Sequence, residues 1–293
     1  MTSKGPHYYG AHVSASGGLE NALVNAKTLN VNAIQIHPSP PQRWNAKPFV
    51  SGYEEKFLAA LPGSGVERIF FHGIYLINLA NPDPQKQQLS RLSLMHDLDL
   101  MGRISGPNNP GAGVIFHVGS MLDDPNEIEG WKRAAEALNW VFANCPQKQG
   151  RVILEVAAGS GNVIGDKLED LRAIYDQVDE QERLGFGLDS QHLWASGYNL
   201  RDEFEGIVTL FSKVFSFEKI WCVHLNDSKT ALGSRKDRHE NLGDGLIGRE
   251  ALHRFLMHPA FKEIPFILET PALKSMESAV IEVEKLRGII SGG

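Results

Sequence analysis

The sequence is sparing with features that would place it outside the ordinary soluble globular class. Only Cys145 and Cys222 occur, so no disulfide framework is expected, and an intracellular, reducing compartment is the default. No apolar run approaches the roughly 20 residues of a membrane span, and MTSKGPHYYG at the N-terminus lacks the apolar segment of a secretory signal. A basic surplus is missing too: the net charge is −6, whereas nucleic-acid binders usually carry a basic footprint. The Gly-rich stretch 157–165 has neither GxGxxG spacing nor a GKS or GKT ending, which argues against a nucleotide-phosphate loop. No composition shift marks an interdomain linker. The 293 residues are therefore expected to form one domain, 1–293, although length alone would admit two.

What is present is a repeat of apolar strand followed by amphipathic helix. Strand signals fall at 8–13, 32–37, 68–72, 114–117, 152–155, 185–189, 220–223 and 266–269. Between them lie helical stripes such as Leu19, Ala22, Leu23, Ala26 and Leu29. A second helix is expected from Ser51, with Glu54 closing a capping box, to about Pro62-Gly63. Asp83-Pro84 starts a third, running to about Met101 before a Gly/Pro/Asn loop at 105–113. Asp124, Pro125 and Glu127 start a fourth, whose core face reads Ile128, Trp131, Ala134, Ala135, Leu138, Val141 and Phe142. Asp166 with Glu169 is expected to cap a fifth, and further helices cover about 202–214, 249–257 and 273–290. Eight such units, with strands apolar along their whole length, predict an α/β fold, a closed (β/α)8 TIM barrel. A doubly wound open sheet is the competing arrangement. The barrel places chemistry at the C-terminal ends of its strands.

Metal-type side chains sit at those ends. His72 follows strand three and His117 strand four, Glu155 ends strand five, and Asp189 with His192 follows strand six. His224 ends strand seven, Asp237 and His239 lie in the loop beyond it, and Glu269 ends strand eight. Any one of them read alone is a loop cap. Four carboxylates sharing one mouth, however, cannot all stay ionised unpaired; imidazoles and bound cations resolve that conflict. Nine ligands exceed the roughly four that one zinc takes, and three ions with one bridging carboxylate fit the number. Such clustered ions activate water and clamp phosphate oxygens. Three divalent ions would also add six positive charges and offset the net −6, which removes most of the objection to a nucleic-acid partner.

At these residues the chain resembles the endonuclease IV family of apurinic/apyrimidinic (AP) endonucleases. The likeness runs from GAHVSASGGLENA (10–22) almost to the C-terminus. It is carried by HGIYLINLA (72–80), FHVGS (116–120), LEVAAGSGN (154–162), GLDSQHLWASGY (187–198), HLNDSKTALGSRKDRHENLGDGLIG (224–248) and ILET (267–270), in that order. The resemblance implies a zinc-dependent TIM barrel acting, as a monomer, on double-stranded DNA that contains abasic sites. It would cut 5′ to the lesion, leave a 3′-hydroxyl and a 5′-deoxyribose phosphate, and clear blocked 3′ ends in base excision repair. By the same resemblance His72, His117 and Glu155 hold one zinc, and Glu155 bridges to a second held by Asp189, His224 and Glu269. His192, Asp237 and His239 hold the third. Glu155 and Glu269 would be the catalytic carboxylates. Mn2+ or Fe2+ in place of Zn2+ at some sites suits the same O/N donors.

DNA contacts are expected from Tyr75 and Leu76 as a minor-groove wedge, from Gln42 or Arg43 in the loop after strand two, and from Arg235 and Arg238. Trp44 reads as packing. The chain departs from the family pattern at 37–41, at Val118 (often Pro), at Val156-Ala157 (usually Asn-Thr) and at Ser190-Gln191 (usually Thr-Cys). Each departure bears on the surroundings of the ligands rather than on the ligands. Two other functions are weighed: a divalent-metal sugar isomerase or epimerase of related fold, which would use Glu155, Asp189, His224 and Glu269 alone, and a non-catalytic damaged-DNA binding module.

Overall fold

The eight apolar segments pair edge to edge into one closed parallel sheet. A computed structural model describes residues 5–45, 47–105 and 112–292; most of the loop expected at 105–113 lies outside the described residues. The strands are β1 (Tyr9–His12), β2 (Ala33–Ile36), β3 (Arg68–His72), β4 (Gly113–His117), β5 (Val152–Glu155), β6 (Leu184–Asp189), β7 (Ile220–His224) and β8 (Phe266–Leu268). They stand round the barrel in chain order. β8 closes on β1, with Tyr9 opposite Phe266 and Ala11 opposite Leu268, which excludes the open sheet. Helices α1 (Glu20–Leu29), α2 (Glu55–Ala60), α3 (Pro84–Ile104), α4 (Glu127–Asn144), α5 (Leu168–Tyr175), α6 (Ser190–Ala195), α7 (Phe204–Val214), α8 (Arg249–Met257) and α9 (Met276–Ile290) fill the connections. Among the described residues no helix is long and apolar enough to cross a membrane.

Alternation along each strand makes two cores. Ala33, Phe70, Ile115, Ile153, Cys222 and Ile267 fill the barrel interior, while Ile34, Phe71, Phe116, Leu154, Leu188 and Val223 pack outward against the helices. Each fully buried large side chain of this kind contributes roughly 1.5–3 kcal/mol. Because side chains repeat with period two, the residue two beyond each interior one faces inward again at the C-terminal rim. Ala33 is followed by Gln35, Phe70 by His72, Ile115 by His117, Ile153 by Glu155, Cys222 by His224, and Ile267 by Glu269. Gly10 precedes His12 on the same register, where a Cβ would fall 1.6 Å from the Ala33 carbonyl oxygen.

One strand reaches this arrangement by an irregularity. β6 and β7 run with Phe186 opposite Ile220 but Gly187 opposite Cys222, so Trp221 is an extra residue. The slip restores parity, and Asp189 then stands opposite His224. Without it Cys222 and His224 would face the helices.

Three helix starts differ from the sequence expectation. α2 begins at Glu55, and neither Ser51 nor Glu54 caps it. Gly52 adopts φ +79°, which breaks the turn, and the Glu54 carboxylate pairs with Arg103 at 2.8 Å instead. α4 is capped by Asn126, which accepts from the Glu129 amide, because Asp124 is taken by Arg133 at 2.8 Å. α5 starts at Leu168 without a side-chain cap, since Asp166 pairs with Arg235 at 3.0 Å. Competing ion pairs explain all three. Ile128 is 66% exposed and leaves the expected core face of α4. Asp83 does cap α3, accepting from the Gln85 and Lys86 amides.

Two buried carboxylates hold the loops that surround the rim. Asp227 accepts from five backbone amides, those of Ser228, Gly243, Gly245, Ile247 and Gly248, at 2.8–3.3 Å. A Cβ on Gly245 would lie 2.5 Å from Asp227 Oδ1, so only glycine lets the loop approach. Asp97 on α3 accepts from Asn45 Nδ2 at 3.1 Å. With His96 donating to the Asn45 carbonyl at 2.8 Å, it ties down the loop after β2, where Trp44 packs against the core.

Removing the Asp227 carboxylate orphans several amides at about 1–3 kcal/mol each. Asp227→Ala is therefore expected to lower the denaturant midpoint by the equivalent of about 3 kcal/mol or more, and an unchanged midpoint would count against the loop anchor. Burial raises Asp97 to about 7, against the pull of Asn45. The folded chain thus keeps, between pH about 4 and 7, a proton that the unfolded chain has shed. Stability should fall as pH rises through that window, and Asp97→Asn should flatten the decline in a series of thermal melts.

Candidate metal centre

Glu155, fully buried at the end of β5, is the meeting point of the inward-facing rim. Its Oε2 lies 3.4 Å from His72 Nε2 and 3.3 Å from His117 Nε2. Its Oε1 lies 2.7 Å from His224 Nδ1. That same nitrogen is 3.2 Å from Glu269 Oε2 and 3.9 Å from Asp189 Oδ2. A further trio sits beside them: His192 Nε2 and His239 Nε2 are 3.3 Å apart, and Asp237 Oδ1 is 3.6 and 3.3 Å from them. Three donor groups able to hold an ion result: His72–His117–Glu155, Glu155–Asp189–His224–Glu269, and Asp189–His192–His239. The family resemblance implies Asp237, not Asp189, as the partner of His192 and His239. In the structure Asp189 Oδ2 also borders that group, 3.8 Å from His239 Nε2.

The imidazoles are oriented from behind. His72 Nδ1 donates to the Gly73 carbonyl at 2.8 Å, His192 Nδ1 to Val156 at 3.0 Å, and His239 Nδ1 to Glu269 at 3.2 Å. Each bond leaves Nε2 as the bare nitrogen turned to the centre. His224 is reversed: its Nε2 meets the Gln35 amide oxygen at 2.7 Å, and Nδ1 faces the carboxylates. Apart from the closer Glu155–His224 pair at 2.7 Å, these donors are spaced 3.2–3.9 Å, around the roughly 3.4 Å edge of a tetrahedron with bonds of roughly 2.1 Å. The residues present fit divalent ions.

The electrostatics agree with that fit. Burial opposes charge at every member, yet His117 and His224 hold the Glu155 carboxyl well below its ordinary range. Glu269 is likewise held down to about 2, against burial, chiefly by His224 and His72. In return, Glu269 and Glu155 overcome burial to raise His224 to about 9, and Asp189 with Asp237 does the same for His192. Other imidazoles go the opposite way: burial lowers His117 despite Glu155, and burial with the neighbouring His37 pushes His12 down to about 3. The four carboxylates of the centre thus draw positive charge to themselves, from protons or from metal ions.

Three of the departures from the family pattern, Val156, Ser190 and Gln191, lie directly behind the ligands. Val156 orients His192 through its carbonyl, while its side chain packs in the core. The Ser190 hydroxyl accepts from the Asn226 amide at 2.8 Å, and Gln191 donates to the Lys236 carbonyl at 2.9 Å, holding the loop that carries Asp237. Two positions were given no role from the sequence. Asn226 Nδ2 donates to Asp189 Oδ2 at 2.7 Å while its Oδ1 accepts from the Glu269 amide at 2.9 Å. Gln35, fully buried, joins His224 to Glu269. The available signal was parity: a polar residue two beyond an interior Ala33 belongs at the rim.

The expected DNA-facing residues separate into two sets. Tyr75, 68% exposed, and Leu76, 38% exposed, stand at the mouth. The Tyr75 amide donates to the Pro41 carbonyl at 3.0 Å, which places the exposed Gln42 and Arg43 beside them. Arg238 is exposed as well. Arg235 is exposed too, and it also makes contacts within the protein: its Nε donates to the Gly159 carbonyl at 2.7 Å and its Nη2 pairs with Asp166. It joins the loop after β5 to the loop of Asp237 and His239. Between those loops, a cleft of about 170 Å³ is lined by His117, Ala157, Gly159, His192 and Asp237.

Residues 23–287 match the family described as xylose isomerase-like TIM barrel. The chain is 33% identical over 282 residues to a probable endonuclease 4 of Acholeplasma laidlawii, covering 95% of this chain and 94% of that one. Identity to apurinic-apyrimidinic endonuclease 1 of Plasmodium berghei is 34% over 284 residues, 95% of this chain and 54% of the relative. Endonuclease IV from Thermus thermophilus superposes with a TM-score of 0.82 at 28% identity, over 98% of this chain and all of that one. A D-tagatose 3-epimerase-like protein reaches a TM-score of 0.72 at 17% identity, a likeness of fold alone. With a family match over most of its length and relatives above 30% identity, the chain belongs to the endonuclease IV family.

Proposed function

We propose that this chain is a zinc-dependent AP endonuclease that hydrolyses the DNA phosphodiester 5′ to an abasic site, leaving a 3′-hydroxyl and a 5′-deoxyribose phosphate. The observation that carries the reading is the convergence of three donor groups through Glu155 and Asp189 at one mouth rimmed by Tyr75 and Leu76. Clearing of blocked 3′ ends uses the same bond class and belongs to the same reading.

His72, His117 and Glu155 would hold one ion, Glu155, Asp189, His224 and Glu269 a second, and His192, His239 and Asp237, with Asp189 adjacent, a third. Ions held there supply Lewis acidity, a lowered pKa for water and charge to offset the phosphate oxygens. The chain's own groups do the rest. Glu155 fixes the separation of the first two donor groups, and Glu269 orients the second; neither is required as a general base. Tyr75 and Leu76 enter the minor groove and Gln42 or Arg43 supports them, since an abasic nucleotide is cheap to extrude. The cleft beside His117, His192 and Asp237 receives it, and Arg238 meets phosphate. Cys145 and Cys222 are free and buried, which supports a reducing compartment. A sugar epimerase would employ the second donor group alone and leave His72, His117, His192, Asp237 and His239 without a role.

Purified protein is expected to contain three zinc equivalents and to cut a duplex with a single abasic site. Chelation should abolish incision and zinc should restore it; a duplex left intact by the fully loaded protein would refute the reading. Glu269→Gln should reduce kcat by more than about 100-fold with circular dichroism unchanged, and wild-type turnover would remove Glu269 from the centre.

A further inference from the structure

Carbonyl oxygens orient His72, His192 and His239, but a side chain orients His224. Gln35 Oε1 lies 2.7 Å from His224 Nε2, and Gln35 Nε2 lies 2.5 Å from Glu269 Oε1 and 3.1 Å from His12 Nδ1. The orientation of this amide is decided by its surroundings. Reversing it would press an amide oxygen against the Glu269 carboxylate, so the NH2 group must face Glu269. Its second hydrogen then falls to His12, which must offer a lone pair at Nδ1. The oxygen is left facing His224, which can answer only with Nε2–H.

We propose that Gln35 is a positioning residue for the second donor group. It locks His224 in the tautomer whose bare Nδ1 faces Glu155 and Glu269, and it fixes the Glu269 carboxylate toward the same point. The ligands from β7 and β8 are thereby preformed as one unit by a residue of β2, across the barrel interior. This rests on the metal-centre reading above. The side-chain partners of Gln35 among the described residues are His12, His224 and Glu269, so its influence falls chiefly on the second ion of the three.

The test is chelator competition against zinc-loaded wild type, Gln35→Leu and Gln35→Met, with nitrogen-15 imidazole spectra and incision kinetics alongside. Wild type should release three ions, and its spectrum should show one histidine bound through Nδ1 with Nε2 protonated. In Gln35→Leu one ion should weaken by roughly 10–100-fold while the others hold, that signature should broaden or vanish, and kcat should fall with KM little changed. Gln35→Met serves if the leucine variant does not fold. Equal weakening of all three ions, or wild-type affinity with an unaltered imidazole spectrum, would overturn the proposal. A wild-type spectrum without an Nδ1-bound histidine would overturn it even if neither variant folds. Wild type that retains fewer than two ions would instead sink the metal-centre reading itself.

Discussion

A carboxylate with no exposure to solvent, Glu155, can persist as an anion only if positive charge surrounds it, and the architecture of the rim follows from that requirement. His72 and His117 face one of its oxygens and His224 the other. Asp189, Glu269 and Asp237 enlarge the deficit of positive charge, and His192 and His239 answer it. Replacing a single member would leave a buried partner uncompensated, which is far more damaging than losing a surface pair. The same deficit that raises His72, His192 and His224 in the free protein is what makes divalent ions the natural occupants.

The barrel supplies the rigidity that such a cluster needs. Strands close on themselves, the interior is filled by Phe70, Ile115, Ile153 and Ile267, and the ligands stand one inward step above that plug. Loops add the members that strands cannot reach. The segment bearing Asp237 and His239 is pinned at the Asp227–Ser228 ladder, at Gln191 and at Arg235, and Trp194 Nε1 donates to Thr230 at 2.9 Å. Arg235 itself adopts φ +55°, a strained backbone for a non-glycine residue that its several bonds sustain. The exposed cation that the sequence offers as a phosphate contact thus also holds two loops together.

Much of the fold was legible because its signals are local. A buried parallel strand must be apolar on both faces, and eight such runs separated by helical stripes have few ways to close. The ligand set was legible for a related reason: His, Glu and Asp recur at the one place in each unit where a barrel gathers side chains. Helix starts were read less well. Glu54, Asp124 and Asp166 carry good local cap chemistry, but Arg103, Arg133 and Arg235 compete for those carboxylates, and propensity cannot register them.

The sequence by itself determined the strand–helix alternation, the residues at each strand end and the excess of buried acid that calls for cations. Those properties depend on residue type and short-range spacing. Tertiary structure alone decided which donors share a neighbour, that Asp189 borders two groups, that Trp221 bulges so His224 can turn inward, and that Gln35 on the second strand meets Glu269 on the last. These depend on register and on side chains more than 200 positions apart, quantities set by closure of the barrel and carried by no local pattern.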